Sequence, residues 1–183
     1  MHILRHPLPE TQRSKGIAVP EPSCSKILLV GVGNEVRGDD AVGLVVTRLL
    51  KENEELVRHA VVVEEAGDGT RLIELWKRSE FTILVDAVRS GSEPGHICKF
   101  EANKLPLPSD TFQHSTHAFS IAEAVELSRT MNTLPKTLTV YGVEGKEFGQ
   151  WLGMSPEVER AAHELVELIT FEILQHQPCT RSA

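Results

Sequence analysis

Short apolar runs alternate with helical periods along most of the chain. Five runs predict β-strands, over residues 26–32, 60–65, 81–87, 96–100 and 137–143. The first run is almost continuously apolar, which is typical of a strand buried on both faces of a parallel sheet. The pattern therefore predicts a five-stranded sheet with a strongly apolar centre.

Apolar residues at helical spacing occupy the segments between these runs. They predict helices over 42–50, 70–78 and 118–125, and a long last helix over 156–173. Ser155 and Pro156 have the residue types of an N-cap and a first helical position. This alternation predicts an α/β fold, a three-layer, doubly wound, mostly parallel five-stranded sheet with helices on both faces.

The chain length of 183 residues is that of one domain. We expect a single α/β domain over residues 26–176, a flexible N-terminal extension over 1–25 and a frayed C-terminus over 177–183. The extension holds four prolines, follows no sustained period and has no apolar core of a secretory signal.

Composition narrows the classes of partner. The 19 Lys and Arg residues against 26 Asp and Glu give a net charge of −7, which argues against nucleic acid and anionic membranes. No apolar run reaches the ~18–20 residues of a membrane span. The three cysteines are scattered, so we expect no disulfide framework and a reducing, cytoplasmic location.

The loop after the first strand is rich in glycine but does not match a nucleotide-binding loop. Val36 occupies the place of the third glycine of the dinucleotide fingerprint. Gly33 and Gly38 have P-loop spacing, but Asp39 and Asp40 follow where Lys and Ser or Thr are required. Two carboxylates would repel a phosphate, so nucleotide binding is disfavoured.

Acidic residues instead follow two strands at their carboxyl ends, where ligands bind in such sheets. Asp39 is expected mainly to cap the next helix, whereas Asp40 is a candidate metal ligand. Asp86 closes the third strand, where a buried carboxylate requires a partner or a bound ion. Asp68 could contribute to the site, but it is expected instead to cap the helix that begins near Gly69.

His117 provides a third candidate ligand. If Ser115 or Thr116 caps the helix over 118–125, His117 lies in its first turn, where the helix dipole favours a neutral imidazole. A histidine in this place can also be merely structural. Asp40, Asp86 and His117 together would form a three-ligand site with an open position, suited to Ni²⁺ or Zn²⁺.

These residues lie within five ordered segments that resemble the hydrogenase maturation endopeptidases, the proteases that process the large subunit of nickel-iron hydrogenases. The resemblance covers about residues 26–170, and its motifs are ILLVGVGNEVRGDDAVG, EEAGDGTRLIEL, TILVDAVRSGSEPG, HSTHAFSIAEAVEL and VYGVEGKEFGQWLGMSPEVERAA. It implies a monomeric, doubly wound α/β protein. It further implies an aspartic-type endopeptidase that removes the C-terminal peptide of the large-subunit precursor after nickel insertion, and so activates the hydrogenase.

The resemblance also implies which residues act. Asp40, Asp86 and His117 match the family's metal-binding and catalytic positions. The nickel is expected to arrive in the precursor, with no cofactor permanently bound, and the attacking water is activated either by the metal or by an aspartate. Gly33, Asn34, Gly38 and Asp39 are expected to contact the precursor's tail.

Two other functions remain open at this point. A metal-dependent assembly chaperone could bind the same precursor without cutting it, and the acidic positions suit both functions. A nucleotide-binding α/β protein is the third hypothesis, which the Asp39-Asp40 pair disfavours.

Overall fold

The computed structural model describes residues 27–108, 111, 119–150 and 153–176. The predicted extension over 1–25 and the C-terminal segment over 177–183 lie outside the described residues. The described strands are β1 Ile27–Val32, β2 Ala60–Glu65, β3 Phe81–Val88, β4 Ile97–Glu101 and β5 Thr137–Glu144. The helices are α1 Val42–Lys51, α2 Leu56–His59, α3 Gly69–Trp76, α4 Ile121–Thr130 and α5 Pro156–Gln175.

The five strands form one sheet in the order β2-β1-β3-β5-β4. All neighbours are parallel except β4, which runs antiparallel to β5 at the edge. Every residue of β1 and β3 is buried, whereas β4 is only partly buried, as expected for central and edge positions. The predicted fold class is thus confirmed.

Each face of the sheet is covered by its own apolar cluster. Helices α1, α2 and α5 cover one face, through residues such as Val46, Leu56 and Leu165. Helices α3 and α4 cover the other, where the indole N–H of Trp76 donates to the Ser128 hydroxyl at 3.0 Å. Among the described residues, no helix is long and apolar enough to span a membrane.

The strand order places a switch point at the carboxyl end of β1. The chain continues from β1 through α1 to β2 on one side, whereas β3 pairs with β1 on the other side. The loops after β1 and β3 therefore diverge, and such a crevice is where α/β sheets bind ligands.

Candidate functional site

The loop between β1 and α1 folds back on its own backbone. The Gly33 amide donates to the carbonyl oxygen of Glu65 at 3.1 Å, and the Asn34 amide donates to that of Asp40 at 3.1 Å. A 3-10 turn over Gly38–Ala41, which the hydrophobic pattern did not predict, then leads into α1. These bonds fix the two adjacent aspartates at the start of the helix.

Helix α1 begins directly on the sheet because glycines remove the side chains between them. A Cβ on Gly43 would lie 2.2 Å from the carbonyl oxygen of Val32 and 2.5 Å from that of Val85. A Cβ on Gly31 would lie 2.1 Å from the carbonyl oxygen of Gly43. The backbone that carries Asp40 is therefore held against the ends of β1 and β3.

Asp86 lies at the carboxyl end of β3 and is 6% exposed. Burial raises the pKa of its carboxyl group well above the usual range, and the negative charge of nearby Asp40 raises this pKa further. A hydrogen bond from the Ala87 amide opposes this rise in part. The structure thus brings the carboxyl groups of Asp40 and Asp86 into electrostatic contact, where a proton or a cation would be stabilised.

Asp39 has a different role from the one expected from sequence. Its side chain is fully buried, and its oxygens accept hydrogen bonds from the amides of Lys146 at 2.7 Å, Glu147 at 2.8 Å and Ser155 at 2.6 Å. The Ser155 hydroxyl adds a fourth bond at 3.0 Å. The prediction that Asp39 caps the following helix is wrong, because the carboxylate ties the turn after β1 to the segment between β5 and α5.

This network also bears on the substrate contacts predicted for the loop. A substrate could reach the Asp39 carboxylate only by displacing the segment around Lys146 and Glu147. Gly38, with φ +58°, faces the carbonyl oxygen of Glu147, and Gly33 faces that of Asp40. The protein's own backbone thus accounts for both glycines, and substrate contact at Gly33, Asn34 and Gly38 stays a prediction.

His117 lies outside the described residues, as do Ser115 and Thr116. Two described residues that flank this segment in the chain, Thr111 and Phe119, accept backbone hydrogen bonds. Thr111 accepts a hydrogen bond from the Arg89 amide just after β3, and Phe119 accepts one from the Gly69 amide at the start of α3.

The start of α4 differs from the prediction. The helix begins at Ile121, and Ser120 is its N-cap, in a reciprocal capping box with Glu123. The predicted helix start at residue 118, with Ser115 or Thr116 as its N-cap, is therefore wrong, and the neutral form of His117 stays a prediction. The Ser120-Glu123 spacing is a capping-box signal that the sequence did contain.

Several smaller expectations can be compared with the structure. Asp68 caps α3, accepting from the Thr70 amide at 2.8 Å, as predicted. Ser155 and Pro156 open α5 as predicted, although the Ser155 hydroxyl donates to Asp39. Among the described residues, no three His, Cys, Asp or Glu side chains form a metal-binding group.

A cavity of about 360 Å³ lies between the loops that follow β1, β3 and β5. The guanidinium of Arg89 stacks on the Phe148 ring, 4.3 Å from its centroid. The described lining residues are Arg37, Arg89, Lys146, Glu147, Phe148 and Gly149. The sequence offered no local signal for this cavity, because its walls come from three separate loops.

Comparison with known proteins gives a consistent picture. A family model described as hydrogenase maturation protease matches residues 44–172. The hydrogenase 2 maturation protease of Escherichia coli is 25% identical over 145 residues, covering 79% of this chain and 88% of that protein. A hydrogenase expression/formation protein of Rhizobium leguminosarum is 24% identical over 132 residues, which are 72% of this chain, and the match spans 65% of that protein's length.

Solved structures show the same architecture. A [NiFe] hydrogenase maturation protease from Thermococcus kodakarensis superimposes with a TM-score of 0.61 at 25% identity, covering 83% of this chain and 94% of that one. The hydrogenase maturating endopeptidase of Escherichia coli, at 20% identity, has a TM-score of 0.66 with 83% and 94% coverage. The latter likeness concerns the fold alone.

Proposed function

The chain belongs to the hydrogenase maturation protease family, and on that premise we propose that it is an endopeptidase acting on the large-subunit precursor of a nickel-iron hydrogenase. It removes the precursor's C-terminal peptide after nickel has been inserted. In this reaction a water molecule adds across one peptide bond, with its hydroxyl going to the carbonyl carbon and a proton going to the departing amine.

The observation that carries this proposal is the pairing of Asp40 with Asp86. Asp40 follows β1 and Asp86 lies near the end of β3, and their carboxyl groups are close enough for the charge of Asp40 to raise the pKa of Asp86. A buried carboxyl group beside a second acid is a costly arrangement for stability alone. A cation brought by the substrate would offset that cost, which supports a site built for a loaded precursor.

In this proposal the nickel ion is part of the substrate. Asp40, Asp86 and His117 offer two oxygen ligands and one imidazole, which is an incomplete shell that precursor ligands would complete. The water is activated by the nickel or by one of the aspartates, and the raised pKa of Asp86 suits a group that exchanges a proton during the reaction. Asp39, which was predicted to contact the substrate, has its carboxylate hydrogen-bonded to the segment after β5.

The test is to incubate the protein with purified precursor, with and without inserted nickel, and to weigh the products. We expect the nickel-loaded precursor to lose its C-terminal peptide and the nickel-free precursor to keep its mass. If the loaded precursor binds but its mass does not change, the protease proposal is wrong and a non-cleaving assembly chaperone takes its place. Equal cleavage of both precursors would remove the nickel requirement.

A further inference from the structure

The cavity between the loops that follow β1, β3 and β5 has a charge opposite to that of the chain as a whole. Three of its described lining residues are cationic, Arg37, Arg89 and Lys146, and only Glu147 is acidic. The chain carries a net charge of −7. This concentration of positive charge therefore stands out at an edge of the sheet that also holds Asp40 and Asp86.

The two arginines are the cations available to a ligand. Lys146 forms an ion pair with Glu157 at 3.2 Å. Within the part of the chain that the structure describes, neither Arg37 nor Arg89 forms an ion pair with a carboxylate. Arg37 is half-buried, so its charge is only partly surrounded by water.

Arg89 is held in place before any ligand arrives. Its guanidinium stacks on Phe148, and the loop that follows it is fixed by bonds from the Ser90 and Gly91 amides to the Glu144 carboxylate, at 2.8 and 3.0 Å. A planar guanidinium that is already ordered binds a carboxylate with a smaller loss of side-chain entropy.

The two arginines of the cavity lie close in the chain to the two aspartates of the acid pair. Arg37 lies three residues before Asp40, and Arg89 lies three residues after Asp86. Three residues of chain span at most about 10 Å. The turn after β1 therefore carries both Arg37 and Asp40, and Asp86 near the end of β3 is followed closely by Arg89.

From this arrangement we infer that the cavity binds a carboxylate of the precursor's C-terminal tail, with Arg37 and Arg89 as its ligands. The inference rests on the proposed function, because it places the tail to be removed across the acid pair. The carboxylate is the terminal one of the tail or the side chain of an acidic residue within it. In either case the contact determines which tails are accepted and does not take part in bond cleavage.

The test measures tail binding separately from cleavage. The probe is a synthetic peptide with the sequence of the precursor's C-terminal segment, prepared as the free acid, as the C-terminal amide, and with its acidic side chains replaced by amides. Each form is titrated into the protein by calorimetry. The unchanged protein should bind the free-acid peptide about tenfold more tightly than at least one of the two neutralised forms, because a charge-assisted bidentate contact is lost.

Two variants decide whether the cavity is responsible. R37Q/R89Q should bind all three peptides within about twofold of one another, and should raise KM for the loaded precursor about tenfold with little change in kcat. Arg78→Gln is the matched control, since this exposed arginine precedes β3 at the opposite edge of the sheet. Arg78→Gln should keep the preference of the unchanged protein.

The outcomes separate this inference from the proposed function. Preference for the free acid over the amide assigns the site to the chain terminus, and sensitivity to the side-chain amides assigns it to an acidic residue. Equal binding of all three peptides by a protein that still cleaves the precursor overturns the inference and leaves the protease intact. A preference for the charged peptide that R37Q/R89Q retains also overturns it. A preference that R37Q/R89Q abolishes, in a protein that does not cleave, supports the cavity and overturns the protease.

Discussion

Asp39 and Asp86 are two buried aspartates at the same edge of the sheet, and the protein accommodates them in opposite ways. Asp39 is surrounded by four hydrogen-bond donors from residues 146–155. Asp86 has the Ala87 amide and, nearby, the charge of Asp40, and its pKa is raised. The comparison separates a carboxylate that stabilises the fold from one whose ionised form costs stability, and carboxyl groups of the second kind cluster at functional sites.

The largest expected effect is on cleavage. Asp40→Asn, Asp86→Asn and His117→Ala should each keep the fold but lower processing of the nickel-loaded precursor about a thousandfold or more, since each removes a proposed ligand or proton acceptor. Product mass and circular dichroism measure the two effects. Asp68→Asn is the matched control, because Asn also caps a helix and Asp68 caps α3. Near-normal cleavage by one of the three variants would exclude that residue from the site.

The same Asp-to-Asn change at Asp39 should instead lower the stability of the folded protein. An amide nitrogen would replace one oxygen that now accepts hydrogen bonds, and a buried donor would be left facing other donors. We expect the free energy of unfolding in urea to fall by about 3 kcal/mol. A loss below about 1 kcal/mol would show that the buried network contributes little, and the contrast with Asp86 would disappear.

The difference in stability between the unchanged protein and Asp86→Asn should depend on pH. An unfolded aspartate titrates near 4, and Asp86 titrates higher in the folded protein. Between these two values the folded state holds more protons than the unfolded state. As pH rises from about 4, the unchanged protein therefore loses stability relative to Asp86→Asn. The loss is at most about 1.4 kcal/mol per pH unit, and it levels off above the pKa that Asp86 has in the folded protein.

Urea unfolding of both proteins between pH 4 and 8, in the presence of a chelator, measures this difference. A difference that stays constant over the whole range would show that the pKa of Asp86 is not raised. Asp68→Asn again provides the control, because Asp68 is exposed and belongs to the cap of α3.

The smallest effect tests one bond of the Asp39 network. Ser155→Ala removes the hydroxyl that donates to Asp39 at 3.0 Å but keeps the backbone donor at 2.6 Å. The free energy of unfolding should fall by about 1 kcal/mol, with cleavage unchanged. A loss as large as that of Asp39→Asn would mean that Ser155 supports α5 in some other way.

Local patterns predicted the sheet well. All five strands were placed within a residue or so of their bounds, because apolar runs and glycine-bounded ends are properties of neighbouring residues. The short helix Leu56–His59 and the turn Gly38–Ala41 were missed, since each is shorter than the window in which helical periodicity can be seen.

The site was harder to predict for a physical reason. The electrostatic contact between Asp40 and Asp86 followed from the rule that parallel strands end at one edge. The role of Asp39 could not be predicted in this way, because its partners are 107 to 116 residues away in the chain. The cavity around Arg89 and Phe148 likewise depends on how separate loops meet, which no single segment indicates.

The close backbone contact between α1 and the sheet, at Gly31 and Gly43, determines which substitutions would move the acid pair. Because backbone meets backbone at Gly31 and Gly43, no side chain separates the helix that follows Asp40 from the sheet that carries Asp86. The placement of the acid pair is therefore governed by peptide geometry rather than by the volume of neighbouring side chains. We expect that core residues such as Leu50 and Leu165 can be exchanged for others of similar size without moving the acid pair. A single methyl group at Gly43, in contrast, would push α1 away from the sheet and would displace Asp40 from Asp86.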